Sequence, residues 1–144
     1  VNDPVPERPK RILAVDFGDR RTGLAATDWT GTIVVPLAAV LRQDDPSCAR
    51  EIAAIAAERE TQLIVVGLPL GRDGEVGPRA QRTLQFIGAL RRATTVPVET
   101  VDEAMTTDEA HARLKEFGLR AARRRQAADS VAAMVILERF RNWT

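Results

Sequence analysis

Six consecutive apolar residues, Leu63 to Leu68 (LIVVGL), constrain this chain more than any other feature. An unbroken run of that length suits a strand covered on both faces, because every side chain along it must leave water. Helical patterns flank it. Before it, Asp44, Asp45 and Pro46 open a stretch to about Glu60 with Ile52, Ile55 and Ala56 at helical spacing; Asp45 reads as the N-cap and Pro46 as the first helical residue. After it, Pro78 to about Arg92 reads as a helix with Leu84, Ile87, Gly88 and Leu90 turned inward. A doubly covered strand between two helices calls for a layered α/β architecture.

The remaining segments complete that architecture. Arg11–Phe17 (RILAVDF), Thr22–Asp28 and Ile33–Leu41 read as strands joined by short turns, an antiparallel meander. Pro36 has no N–H to donate, which assigns the third strand to an edge. Val96–Val101 is a fifth strand. Thr106 and Glu109 form a capping-box pair for a helix ending near Gly118, and a last helix runs from about Arg124 to Arg141. The order βββαβαβαα predicts a mixed five-stranded sheet with helices on both faces. It forms one domain, residues 11–144, behind a loose proline-bearing tail at residues 1–10.

Several function classes drop out. The single cysteine, Cys48, permits no internal disulfide and no zinc cluster, and reads as core packing. No run of about 18 apolar residues is present and no signal peptide opens the chain, so a cytoplasmic protein without a membrane span is expected. Aromatic residues are 4% of the chain, with no tyrosine. Contacts to nucleic acid would therefore rest on charge more than on stacking. His111 reads as a solvent-facing helix residue.

The acids carry the chemistry. Asp16 ends the first strand, where ligands of open α/β sheets gather, although a turn-capping role is equally compatible with its position. Asp102 and Glu103 end the fifth strand, on the same rim if strands one, four and five are parallel. Alternation sends these two side chains opposite ways, and the sequence does not choose between them. Asp129 shares a helix face with Ala132, Ala133 and Ile136, so it falls on an apolar stripe. An unpaired carboxylate there costs several kcal/mol, against a domain stability of roughly 5–15 kcal/mol. Either a cation or an arginine such as Arg125 would offset it. Gathered together, such acids would raise one another's pKa and force protonation unless a cation intervened. Mg²⁺ or Mn²⁺, as a pair of ions, turns the cluster into a site for phosphodiester hydrolysis.

Basic residues lie beside these acids. The turn DFGDRRTG brings Gly18, Arg20, Arg21 and Gly23 next to Asp16, and its arginines can reach phosphates. The loop GLPLGRDGEVGP is long for a connection between a strand and a helix, which suits a substrate-contacting flap carrying Arg72. Between Arg113 and Arg125 six bases face one acid, Glu116. Arg120, Arg123, Arg124 and Arg125 in that stretch read as a phosphate-binding surface.

Four segments, AVDFGDRRTGLAATD, VVGLPLGRDGEVG, VDEAMTTDEA and QAADSVAAMVIL, resemble the YqgF/RuvX family in order and spacing. Its members are pre-16S rRNA nucleases, also called Holliday-junction-resolvase-like proteins. The resemblance runs from Arg11 to Phe140. It implies a ribonuclease H-like fold and maturation of the 16S rRNA 5′ end, with precursor rRNA and ribosomal particles as partners. Asp16 then matches the family's strand-one acid, Glu103 its Asp-Glu acid and Asp129 its C-terminal acid. The chain departs from the pattern at Ala104, where the family usually carries arginine. Three other readings stay open: a resolvase of branched DNA acting as a homodimer, a non-catalytic nucleic-acid-binding module, and an actin-like phosphotransferase.

Overall fold

The structure, a computed structural model, describes residues 2–5, 8–41, 43–103 and 121–143, with backbone alone at 121–129 and 142–143. Strands β1 (Ile12–Asp16), β2 (Arg21–Thr27) and β3 (Val34–Leu41) come first. Helix α1 (Asp45–Glu58), strand β4 (Leu63–Leu68), helix α2 (Pro78–Ala93) and strand β5 (Val98–Asp102) follow. Helix α3 spans Ala121–Trp143. The helix expected between Thr106 and about Gly118 lies outside the described residues.

The strands form one sheet in the order β3-β2-β1-β4-β5. The first three pair antiparallel, as the short turns between them require, while β4 runs parallel to both β1 and β5. Pro36 sits on the edge strand β3, where its missing donor breaks no ladder. β1 occupies the centre. Along it, Leu13 and Val15 face α1 and α2 together with Leu24, Ile64, Val66, Ile52 and Phe86. Ile12 and Ala14 face the other way, into a second core with Leu63, Val65, Val101, Ile136 and Leu137 beneath α3. The mixed sheet with helices on both faces is as the hydrophobic pattern predicts. Leu63 to Val66 are fully buried, and each such side chain stabilises the fold by about 1.5–3 kcal/mol.

Two local expectations are corrected. The N-cap of α1 is Asp44, not Asp45: its backbone is extended, and its carboxylate accepts from the Ser47 amide at 2.9 Å. That bond holds the Asp44 carboxyl below its ordinary range. Asp45 instead makes a two-pronged ion pair with Arg82 of α2, both contacts 2.8 Å. In α2, Leu84 points to solvent and the inward position belongs to Phe86. Phe86 stacks on Phe17 with ring centroids 4.3 Å apart, and Arg82 lies over the Phe17 ring at 5.0 Å. The residue following Asp16 is thus clamped between α2 and the sheet.

These placements give two testable outcomes. Phe86→Ala should cost about 3–5 kcal/mol in denaturant unfolding, whereas Leu84→Ala should stay within about 0.5 kcal/mol. The second concerns Asp28, whose carboxyl is held below its ordinary 3.8 first by the Ile33 amide and then by the Thr30 hydroxyl. A depressed carboxyl favours the folded state above that value and loses the contribution as pH falls through its own lower midpoint. Asp28→Asn should therefore flatten the acid limb of the stability–pH curve below about pH 4 and leave the slope above pH 5 unchanged.

Candidate active site

The site grows from the register of the three parallel strands. Val15 of β1 pairs with Val66 of β4, so Asp16 stands level with Gly67. Gly67 in turn pairs with Val101 of β5, and Leu68 with Asp102. The Glu103 amide extends this ladder by donating to the Leu68 carbonyl at 3.1 Å. All three strand ends consequently reach the same rim. On the other side of Asp16, its partner in β2 is Gly23, beside a register shift between Thr22 and Leu24.

Alternation decides the face. Because Ile12 and Ala14 look toward α3, Asp16 does too; Leu63 and Val65 put Gly67 there, and Val101 puts Glu103 there. Asp102 is assigned by the same rule to the α1–α2 side. Its backbone carbonyl accepts from Arg139 Nη1 at 3.1 Å, which ties the end of β5 to α3. Of the two, Glu103 shares the face of Asp16.

Gly67 is the spatial key. A Cβ at this position would stand 2.5 Å from Glu103 Oε2 and would overlap Ile136 Cδ1 of α3. A side chain here would make the Glu103 carboxylate and Ile136 shift from the places they take over β4. Glu103 Oε2 is buried in that gap. Asp16, flanked by Gly23 and level with Gly67, rises from a floor lacking side chains. Its following turn is equally tight: at Gly18 a Cβ would overlap the Arg21 carbonyl.

Asp129 belongs to α3, where its backbone is helical. The next residue, Ser130, is buried and donates through its hydroxyl to the Leu37 carbonyl at 2.6 Å. Leu37 pairs with Leu24, and Leu24 with Val15. This turn of α3 therefore crosses the sheet level with the last residues of β1. Among the described residues no group of three His, Cys, Asp or Glu side chains could hold a metal ion; of Asp129 the backbone alone is described.

Arg20, Arg21 and Arg72 are exposed, the first two in the turn after Asp16 and the third in the loop after β4. That loop closes on itself through bonds from the Gly71 amide to the Glu75 carbonyl and from the Gly74 amide to the Gly71 carbonyl. Arg123, Arg124 and Arg125 lie on the first turns of α3, while Arg120 and Ala104 fall outside the described residues. The sequence reading missed the part of Gly67, which it counted among loop glycines. Its position inside an apolar run, rather than after it, was the available signal.

Known proteins supply the comparison. Residues 10–142 match the family described as "RuvX: Holliday junction resolvase". The chain is 40% identical over 131 residues to a "Putative pre-16S rRNA nuclease" of Pelotomaculum thermopropionicum, covering 90% of this chain and 85% of that one. A protein of the same name from Desulforudis audaxviator is 37% identical over 132 residues, covering 92% and 94%. Among solved structures, the fowlpox virus Holliday junction resolvase superposes with a TM-score of 0.56 at 13% identity, over 93% of this chain and 99% of that one. Thermus thermophilus RuvC, in complex with a Holliday junction substrate, gives 0.54 at 17% identity, over 90% and 95%. At such low identity these two speak for the fold alone, and it is a ribonuclease H-like one. With a family match across nearly the whole chain and relatives well above 30% identity, this chain belongs to the RuvX family.

Proposed function

We propose that this chain is a metal-dependent nuclease whose hydrolytic site consists of Asp16, Glu103 and Asp129, acting in maturation of the 5′ end of pre-16S rRNA. One observation carries the reading: Glu103 enters a gap over Gly67, level with Asp16 and on the face crossed by α3. Burying a carboxylate oxygen on the face that Asp16 shares raises the energy of its charge, and a divalent cation would offset that cost. The names of the curated relatives support the substrate.

The donor set fits a hard divalent ion, Mg²⁺ or Mn²⁺, because it is made of carboxylate oxygens. Asp16, Glu103 and Asp129 would hold it. When bound, a pair of such ions activates water and steadies the leaving oxygen of a phosphodiester. The chain's own residues do the rest. Arg20 and Arg21 border the rim and can bind phosphates as a fork, with Arg72 opposite them on the loop after β4. Gly67 makes room for the Glu103 carboxylate on the face of Asp16. Arg139 holds the end of β5 and with it the position of Glu103. Arg120, Arg123, Arg124 and Arg125 would extend the phosphate track, and the Arg that the family carries at position 104 is not among this chain's contacts.

The family description favours branched DNA as a second substrate. Symmetric cutting of a junction requires a homodimer, whereas end trimming of RNA is possible for a monomer. Among the described residues no helix is long and apolar enough to cross a membrane; we place the activity in the cytoplasm, on ribosomal precursor particles.

Cleavage of a precursor-rRNA fragment, a single-stranded DNA and a four-way junction with Mg²⁺ or Mn²⁺ tests the reading. Asp16→Asn, Glu103→Gln and Asp129→Asn should each lower turnover by at least about 100-fold, more than the ~10–100-fold typical of residues that only orient a metal ligand. Asp102→Asn should lose less than about tenfold. Full activity in the first three would remove these acids from the mechanism, and binding without turnover under every metal would leave a non-catalytic binding module. Gly67→Ala should separate the steps: its Cβ displaces Glu103, so turnover and thermal stability fall together while nucleic-acid affinity, measured in chelator, is kept.

A further inference from the structure

At the opposite end of the sheet from Asp16 lies a cleft of about 230 Å³, lined by Arg11, Thr27, Asp28, Trp29, Glu58 and Arg59. Trp29 is 62% exposed. An indole left in water forgoes a large apolar burial, and in a chain so poor in aromatic rings this one stands out. The Arg11 guanidinium covers it at 5.5 Å from the ring centroid. The ring's exposure leaves area for a second planar group.

The cleft is built, not draped. Trp29 sits on the β2–β3 turn, which Asp28 ties together: its amide donates to the Ile33 carbonyl at 2.8 Å, and its carbonyl accepts from Gly31 at 3.0 Å. Its carboxylate accepts from the Thr32 and Ile33 amides at 3.0 and 3.2 Å. Arg11 is held by a bond from Nε to the Glu60 carbonyl at 2.9 Å, and Arg59 reaches the Thr27 carbonyl at 3.4 Å. Thr27 in turn links the Lys10 carbonyl and the Ile12 amide through its hydroxyl, locking the start of β1 against the end of β2. Each guanidinium spends one named donor on the backbone and has others for a ligand. The Asp28 carboxylate is engaged by its own turn, so Glu58 is the acceptor that the wall offers to an amino or imino edge.

A flat apolar platform, two planar cations and one carboxylate acceptor match a nucleotide: base on indole, phosphate on guanidinium. We infer that the Arg11–Trp29–Arg59 cleft binds a single-stranded nucleotide of the polynucleotide whose cleavage is proposed above, an inference that rests on that reading. Arg11, just before β1, and Asp16, at its end, lie about 17 Å apart at ~3.3 Å per residue. Helices cover both faces of β1, so a polynucleotide joining the two passes round the domain, and the cleft grips it more than about five nucleotide steps, at ~3.4 Å per step, from the bond cut at Asp16.

The test uses the full chain with Trp143→Phe, so that fluorescence reports Trp29 alone, and a single-stranded oligouridylate of about twelve nucleotides, within the ~4–16 nucleotides of one strand-binding fold. Titration in chelator should quench Trp29 saturably. With Trp143 retained, Trp29→Ala should weaken binding about tenfold, as expected for one base–aromatic stack, and Trp29→Phe should restore most of it. Arg59→Gln should reduce the salt slope by about one. Uridine monophosphate should bind far more weakly; equal affinity would overturn the strand assignment in favour of a free-nucleotide site. Absence of quenching together with unchanged affinity in Trp29→Ala would overturn the cleft altogether. No hydrolysis proceeds in chelator, so that failure leaves the nuclease reading standing. Quenching without cleavage under any metal would strike the nuclease reading alone.

Discussion

The parallel, in-register pairing of β1, β4 and β5 is the constraint from which the rest follows. Pairing fixes strand direction, so whatever follows each of these strands leaves at one rim. The driving force is burial: β4 is covered on both faces and satisfies its backbone between two parallel neighbours. Register then converts sequence position into geometry. A slip of one residue in β5 would turn Glu103 toward α1 and α2 and bring Asp102 to the face of α3. The Arg139 bond to the Asp102 carbonyl and the Glu103 amide bond to Leu68 both oppose such a slip.

A rim that gathers carboxylates works against stability. Close-packed interiors fill space with apolar side chains, yet here the gap that Gly67 leaves over β4 is shared by Ile136 and the Glu103 carboxylate. The cost is absorbed by the two apolar layers on either side. Phe17 illustrates the coupling. Its ring stacks on Phe86 and lies under Arg82, which is itself paired with Asp45, so the turn after Asp16 is anchored in the α1–α2 layer while Asp16 looks toward the α3 layer. The cation–π contact and the ion pair both act on Arg82, and the Asp45 carboxylate raises its already high pKa.

Legibility in the sequence followed the range of the interaction. The strands and helices were legible because period and breakers are local: the run LIVVGL, the Pro36 edge and the Pro78 helix start all lie where the pattern puts them. The place of Asp16 at the end of the first strand was legible from the apolar run before it and the turn after it. What the pattern could not supply was set by distant partners. Asp45 has the right type for an N-cap, but Arg82, 37 residues away, claims its carboxylate and the cap passes to Asp44. Leu84 is more hydrophobic than Thr83, yet the fully buried flank of α2 is fixed by Phe86 meeting Phe17 across the chain. The choice between Asp102 and Glu103 needed the exact register of β5, and the part of Gly67 needed the approach of α3; both are tertiary facts.

The two ends of β1 put opposite demands on the same strand. At one end the sheet must carry Asp16 on the face it shares with Glu103; at the other it must hold Arg11 firmly enough to cover Trp29. Both are met because β1 is central and its residues Leu13 to Val15 are fully buried. A central strand is a poor spring: bending it would break ladders on two sides and expose two cores at once. The separation between the acidic rim and the aromatic cleft is therefore set by covalent geometry and not by loop conformation. A polynucleotide spanning both ends would meet a rigid spacing, whereas the arginines of the turn after Asp16 and of the loop after β4 ride on connections that can adapt. In this fold, distance along a strand would be measured by the sheet, and contact with its phosphates would be adjusted by the loops.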